Sequence, residues 1–138
     1  MSRALAENRR QAGPRPLARG DQVAATLTAV VRVFDSWDLS NAQAQALFDV
    51  KPTTWSRMRG GSFNGTLDQD KVTRASLILG IYKALRLIFN GPLVTRWPDL
   101  PNSGAPFDGL SPVDYMIRGG IPAMADVRQH LDALRGGL

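Results

Sequence analysis

Apolar side chains recur at intervals of three and four from Val23 to Trp37, at Val23, Leu27, Val30, Val31, Phe34 and Trp37, and this period predicts an amphipathic first helix. Ser40 stands where an N-cap belongs. Ala42 to Phe48 follows with helix-forming residues, Ala46 and Leu47 being expected to face inward. Asp49-Val50-Lys51 interrupts the pattern, Pro52 suits the first turn of a new helix, and Thr53 to Arg59 continues it until Gly60-Gly61 stops it. Beyond a polar loop, Ser62 to Thr66, a fourth helix is predicted from about Asp68 to Asn90. Its apolar residues, among them Val72, Leu77, Ile78, Ile81, Leu85 and Phe89, cover more than half of the circumference, so it must be buried on more than one side. Gly91 to Gly109 reads as a Pro/Gly-rich loop around Trp97. Two short helices then follow, Ser111 to Arg118 and Ile121 to Leu134, the first with Ser111 as N-cap ahead of Pro112. Strand-like alternation is nearly absent, and the predicted fold is all-α: a helix-turn-helix bundle followed by a helical C-terminal domain.

With 138 residues, 43% of them hydrophobic, the chain can build one core or two small modules sharing one. The net charge of +5 favours polyanionic partners, but its distribution changes that picture. Residues 1–20 carry five arginines against Glu7, residues 21–66 are balanced, and residues 67–138 hold eight basic against seven acidic side chains. Most of the excess therefore sits in a tail with Pro14 and Pro16 and few large apolar groups, which is expected to be disordered. The arm has a functional reading, as a basic arm on DNA phosphates or a minor groove, and a plain one, as a solubilising extension or the product of a mis-assigned start codon.

The absence of cysteine excludes disulfides, thiolate metal sites and cysteine nucleophiles, and a single histidine, His130, leaves no His-pair metal site. No serine or carboxylate motif accompanies His130, which is expected as a surface or half-buried residue of the last helix. The glycine pairs lack the spacing of a phosphate loop. No catalytic residue, metal or cofactor is expected. No apolar run reaches the roughly 18–20 residues that span a bilayer, and the N-terminus lacks an apolar signal region, so a soluble cytoplasmic protein without a membrane partner is expected.

Leu39 to Met58 reads as a helix-turn-helix. Small Ala42 and Ala46 are expected to let two helices cross closely, Val50 to plug the turn, and Trp55 with Met58 to anchor the following helix from behind. The opposite face then offers Thr53, Thr54, Ser56, Arg57 and Arg59 to base edges and phosphates. Arg57 is the candidate for a bidentate contact to guanine, and Lys51 and Thr53 are the candidates for phosphate. Alternatively, the same residues form an ordinary helical corner with a solvated face. Because Lys51, Arg57 and Arg59 are opposed by Asp49, one module should bind weakly, which implies a dimer on a palindromic site.

In the last third, Trp97-Pro98-Asp99-Leu100-Pro101-Asn102, Phe107-Asp108-Gly109-Leu110-Ser111-Pro112-Val113-Asp114-Tyr115-Met116-Ile117, Gly119-Gly120 and the Val127 to Ala133 stretch resemble the toxin-binding domain of Xre/MbcA/ParS-type antitoxins. The helix-turn-helix ahead of them has the order that family uses, whereas the Arg-rich extension before Asp21 is outside the pattern. The resemblance implies a non-enzymatic antitoxin that represses its own operon by binding operator DNA. It would also bind a cognate toxin, commonly of the NAD-consuming RES type, as a homodimer within a higher-order toxin–antitoxin complex. It assigns DNA reading to Lys51, Thr53, Thr54, Ser56, Arg57 and Arg59, and toxin contact to residues 67–138. Within that module Trp97, Phe107 and Tyr115 are expected to pack the core, and Gly109, Gly119 and Gly120 to serve backbone geometry. A flexible end, Arg135, Gly136, Gly137 and Leu138, is expected to enter the toxin's substrate cleft. Two rivals remain: a stand-alone regulator whose C-terminal domain only dimerises, and an interaction protein that no longer binds DNA.

Overall fold

The apolar stripe that begins at Val23 forms α1 (Arg19–Ser36), which buries Leu27, Val30, Val33 and Phe34. The computed structural model describes residues 19–136, and among these it contains six α-helices, one 3-10 turn and no strand. The all-α expectation holds. α1 starts before its first apolar position, so Arg19 and Gly20, expected in the arm, are helical. Asp21 in the first turn favours that extension, because its carboxylate faces the partial positive charge of the helix start. Residues 1–18, the rest of the arm, lie outside the described residues.

α2 (Asn41–Phe48) begins at Ser40, whose hydroxyl accepts from the Gln43 N–H at 3.1 Å while the Gln43 side-chain oxygen accepts from the Ser40 N–H at 2.9 Å. This reciprocal cap satisfies two donors that a helix start leaves unpaired. The inward residues are Ala44, Leu47 and Phe48, whereas Ala42 and Ala46, expected at the helix crossing, face solvent. Register explains the difference: Ala44 precedes Leu47 and Phe48 by three and four positions and shares their face, while Ala42 and Ala46 stand two positions to either side of Ala44.

α3 (Pro52–Gly60) leads through residues 61–68 to α4 (Gln69–Ile88), which is capped by Asp68 accepting from the Lys71 N–H at 3.0 Å. α4 buries Arg74, Ala75, Ile78, Ile81, Ala84 and Leu85 and packs against α1, α2 and, most extensively, α6 (Pro112–Gly136). Burial on more than one side is thus realised, although Val72 and Leu87 remain exposed. Where a plain loop was expected, the chain forms α5 (Leu93–Arg96) and a 3-10 turn, Trp97–Asp99. A pair of backbone bonds, Asn102 N–H to Leu110 O at 3.1 Å and Gly109 N–H to Asn102 O at 2.8 Å, then closes a loop that drops Phe107 into the core.

The two helices expected after Ser111 are present as the two arms of α6, which meet at a break at Gly120 (φ 68°, ψ −149°). Only glycine adopts this backbone conformation readily. Pro122 follows where a fresh helical turn starts and its missing N–H is harmless. The Tyr115 hydroxyl donates to the Asp126 carboxylate at 2.7 Å across the break. That bond, with burial second, pushes the Tyr115 phenol above its ordinary range. Phe107 packs edge-on against Tyr115 at 5.5 Å, Trp97 at 5.8 Å and His130 at 5.1 Å, and the His130 ring stacks on Trp97 at 6.2 Å. Trp97 and Phe107 are buried and Tyr115 half-buried, as core packing requires. Buried residues from α1, α2, α3, α4 and α6 form one contiguous apolar cluster.

Candidate nucleic-acid interface

The turn between α2 and α3 follows from its residue types. Asp49 takes the left-handed conformation (φ 55°, ψ 56°), which short polar side chains tolerate, and its N–H and that of Val50 return to the Gln45 carbonyl. Lys51 is extended (φ −73°, ψ 156°), as the residue before a proline must be, and Pro52 opens α3. Half-buried Val50 packs against the core beneath the turn. Gly61, at φ 83°, ends α3 with its N–H directed to the Arg57 and Met58 carbonyls.

Trp55 and Met58 anchor α3 on the core, Trp55 meeting Phe34 at 5.7 Å and Phe48 at 6.3 Å between ring centres. With about 100° of rotation per residue, Thr53, Ser56, Arg57 and Gly60 lie within roughly 50° of the direction opposite that anchor. All four are exposed. Thr54 and Arg59 lie on the two flanks, which separates them from the outward set. Thr54 is half-buried, and the Arg59 guanidinium pairs with Asp35 of α1 at 2.8 Å. Lys51 is exposed in the turn, ahead of the first helical N–H groups. Among the described residues, Arg57 makes no ion pair, and its guanidinium is the cation of the outward face.

Asn41 and Gln45 were missed in the sequence. One turn apart on α2, they line a groove with Pro52, Trp55, Ser56, Arg59 and Gly60 beside the outward face of α3. Their four-residue spacing was the available signal, but without the angle between α2 and α3 it does not say what that face adjoins. Behind the turn, the Asp70 carboxylate accepts from Lys71 Nζ at 2.8 Å and from Arg74 Nε at 2.9 Å. The Lys71 bond first, then that from Arg74, holds Asp70 below the ordinary carboxylate range against the opposing effect of burial.

Arg135 and Gly136, expected in a flexible end, are the exposed last residues of α6. The amphipathic run from Ile121 carries the helix through them, and the Arg135 cation suits the negative end of the helix dipole. Gly137 and Leu138 lie outside the described residues. Gly109 (φ 95°) and Gly120 (φ 68°) hold left-handed positions, and Gly119 lies where a Cβ would approach that of Ala123 to 2.5 Å, so all three serve backbone geometry as expected. Among the described residues, no helix is long and apolar enough to cross a membrane, and no group of three His, Asp or Glu side chains is placed to hold a metal ion.

The family of antitoxin Xre-like helix-turn-helix domains matches residues 16–80, which contain α1, α2, α3 and the first part of α4. An uncharacterized protein of Sinorhizobium fredii (strain NBRC 101917 / NGR234), y4oB, is 38% identical over 126 residues, covering 91% of this chain and 95% of that relative. No solved structure matches the chain.

Proposed function

Because the chain belongs to the antitoxin Xre-like helix-turn-helix family, we propose that it represses its own operon through α3 and neutralises a cognate toxin by direct binding through residues 67–138. The observation that carries the DNA half is the division of α3 into two faces: Trp55 and Met58 fix its back on the core, and Thr53, Ser56 and Arg57 stand outward and solvated. Arg57 supplies the bidentate donor that reads guanine, and Thr53 and Ser56 supply short hydroxyl contacts. Lys51, Thr54 and Arg59 act at the margins on phosphates, Arg59 after exchanging Asp35 for a phosphate oxygen. A second copy doubles the few contacts that one module makes, which matches a homodimer on a palindromic operator.

The toxin half rests on the family and on the resemblance of residues 97–133 to the toxin-binding domain of such antitoxins. The partner is an enzyme of the NAD-consuming RES type, and the C-terminal turn of α6 with Arg135, Gly136, Gly137 and Leu138 reaches its substrate cleft. The antitoxin itself contributes no chemistry.

The test has two arms. Arg57→Ala lowers affinity for the chain's own promoter DNA by about 5- to 150-fold, the worth of one bidentate base contact, and leaves toxin binding intact. A wild-type chain that does not bind that promoter above its affinity for random DNA refutes the repressor. Co-expression with the product of the adjacent gene restores growth, and deleting Arg135 to Leu138 abolishes the rescue; neutralisation that survives the deletion refutes the plug.

A further inference from the structure

Arg74 is a buried charged residue in the middle of the molecule. From α4 its guanidinium reaches three groups. Nη1 donates to the Leu47 carbonyl at 3.0 Å, Nε donates to Asp70 Oδ2 at 2.9 Å, and Nη2 lies 3.8 Å from Asp49 Oδ2. Leu47 belongs to the last turn of α2, where carbonyls have no partner within the helix, and Asp49 is the left-handed residue that turns the chain toward α3. Lys71 braces the same carboxylates, at 2.8 Å from Asp70 and 3.9 Å from Asp49. The break in α6 abuts the group from the other side, a Cβ on Gly120 falling 3.8 Å from Nη2.

We propose that Arg74 is a positioning residue for DNA reading: through it, α4 and the break of α6 fix the turn between α2 and α3, and with it the angle at which α3 presents Thr53, Ser56 and Arg57. The inference rests on the reading of α3 as the DNA-reading helix. α3 is nine residues long and enters the core through Trp55 and Met58 alone, so its direction depends on the turn that launches it. Base-edge hydrogen bonds operate within a few tenths of an ångström, so a small rotation of α3 breaks several at once. A planar guanidinium meets a carbonyl and two carboxylates simultaneously, whereas the single ammonium of lysine keeps the charge but not the three directions.

The experiment compares the full-length wild type with Arg74→Lys, Asp49→Asn and Arg57→Ala. Three quantities are measured: melting temperature, affinity for the chain's own promoter fragment by fluorescence anisotropy, and amide hydrogen exchange at Val50, whose N–H donates to the Gln45 carbonyl within the turn. Arg74→Lys keeps its helical circular dichroism, loses promoter affinity about tenfold, and exchanges the Val50 amide about tenfold faster relative to the core amide of Ile81. Arg57→Ala loses affinity without changing Val50 exchange, which separates contact from positioning. Should Arg74→Lys fail to fold, Asp49→Asn carries the same test, because asparagine tolerates the left-handed conformation while removing one arm of the bridge; about threefold effects are expected in both readouts. A folded Arg74→Lys or Asp49→Asn variant that binds the promoter as tightly as wild type, or loses affinity without faster Val50 exchange, overturns the inference alone. A wild type that does not bind the promoter overturns the DNA reading, and this inference falls with it.

Discussion

Replacing Gly120 by alanine forces a Cβ into a backbone conformation of φ 68° and ψ −149°. Space is not the obstacle, since the nearest group is Arg74 Nη2 at 3.8 Å. The obstacle is torsional. That region is essentially confined to glycine and costs about 1–3 kcal/mol per residue when a side chain is imposed. Relaxing the torsion would straighten α6 and pull Met124, Val127 and Leu131 out of register with α4, which these fully buried residues do not permit. The variant therefore retains most of the strain. For a chain of this size each kcal/mol lowers the melting temperature by about 2–6 °C, so a drop of several degrees is expected by circular dichroism. Gly20→Ala is the control: Gly20 is helical, with nothing within 4 Å of its Cβ position, so alanine there stabilises by about 0.4–1 kcal/mol. If Gly120→Ala melted within a degree of wild type, the break in α6 would not exist in solution.

Three further outcomes follow from the same structure. Phe107→Ala empties a fully buried site between Trp97, Tyr115 and His130 and costs about 3–5 kcal/mol, read from urea unfolding; a loss below about 1 kcal/mol would show that the loop does not insert Phe107. Asp35→Asn releases Arg59 and raises promoter affinity at low salt with little change in stability, because exposed ion pairs contribute about 0–1 kcal/mol; weaker promoter binding would mean that Asp35 holds Arg59 in its reading position. The Asp70 carboxyl titrates below its ordinary value in the folded chain, so its contribution is present above about pH 4 and is lost as pH falls through the lowered value. Thermal melts of wild type and Asp70→Asn should differ at pH 6 and converge toward pH 2, and a constant difference would contradict the bridge.

Legibility in the sequence followed the range of the physics. α1 and α3 were readable because a three-and-four stripe, Pro52 and Gly61 act within a few residues. The Ser40–Gln43 cap fixed the start of α2 for the same reason. Choosing Ala44 over Ala42 and Ala46 required the register of Leu47 and Phe48 against the rest of the core, which no local pattern supplies. The break in α6 was legible between Arg118 and Ile121, at Gly119-Gly120, yet its position over Arg74 depends on the α4–α6 packing. At the candidate interface, Trp55 and Met58 at the back of α3 were legible from spacing alone. The engagement of Arg59 by Asp35 was not, since the two lie 24 positions apart and meet only when α3 is laid against α1.

α4 runs unbroken from Gln69 to Ile88, while the segment matched by the helix-turn-helix family stops at Gly80. A chain cut at that point would keep Ala75 and Ile78 but lose Ile81, Ala84 and Leu85 together with all of α6, which covers them. The segment that the family matches and the stretch that folds as one are therefore different lengths. One shared helix makes the matched segment and the C-terminal half melt together, so limited proteolysis should yield no stable fragment corresponding to the matched segment, and calorimetry should register a single transition.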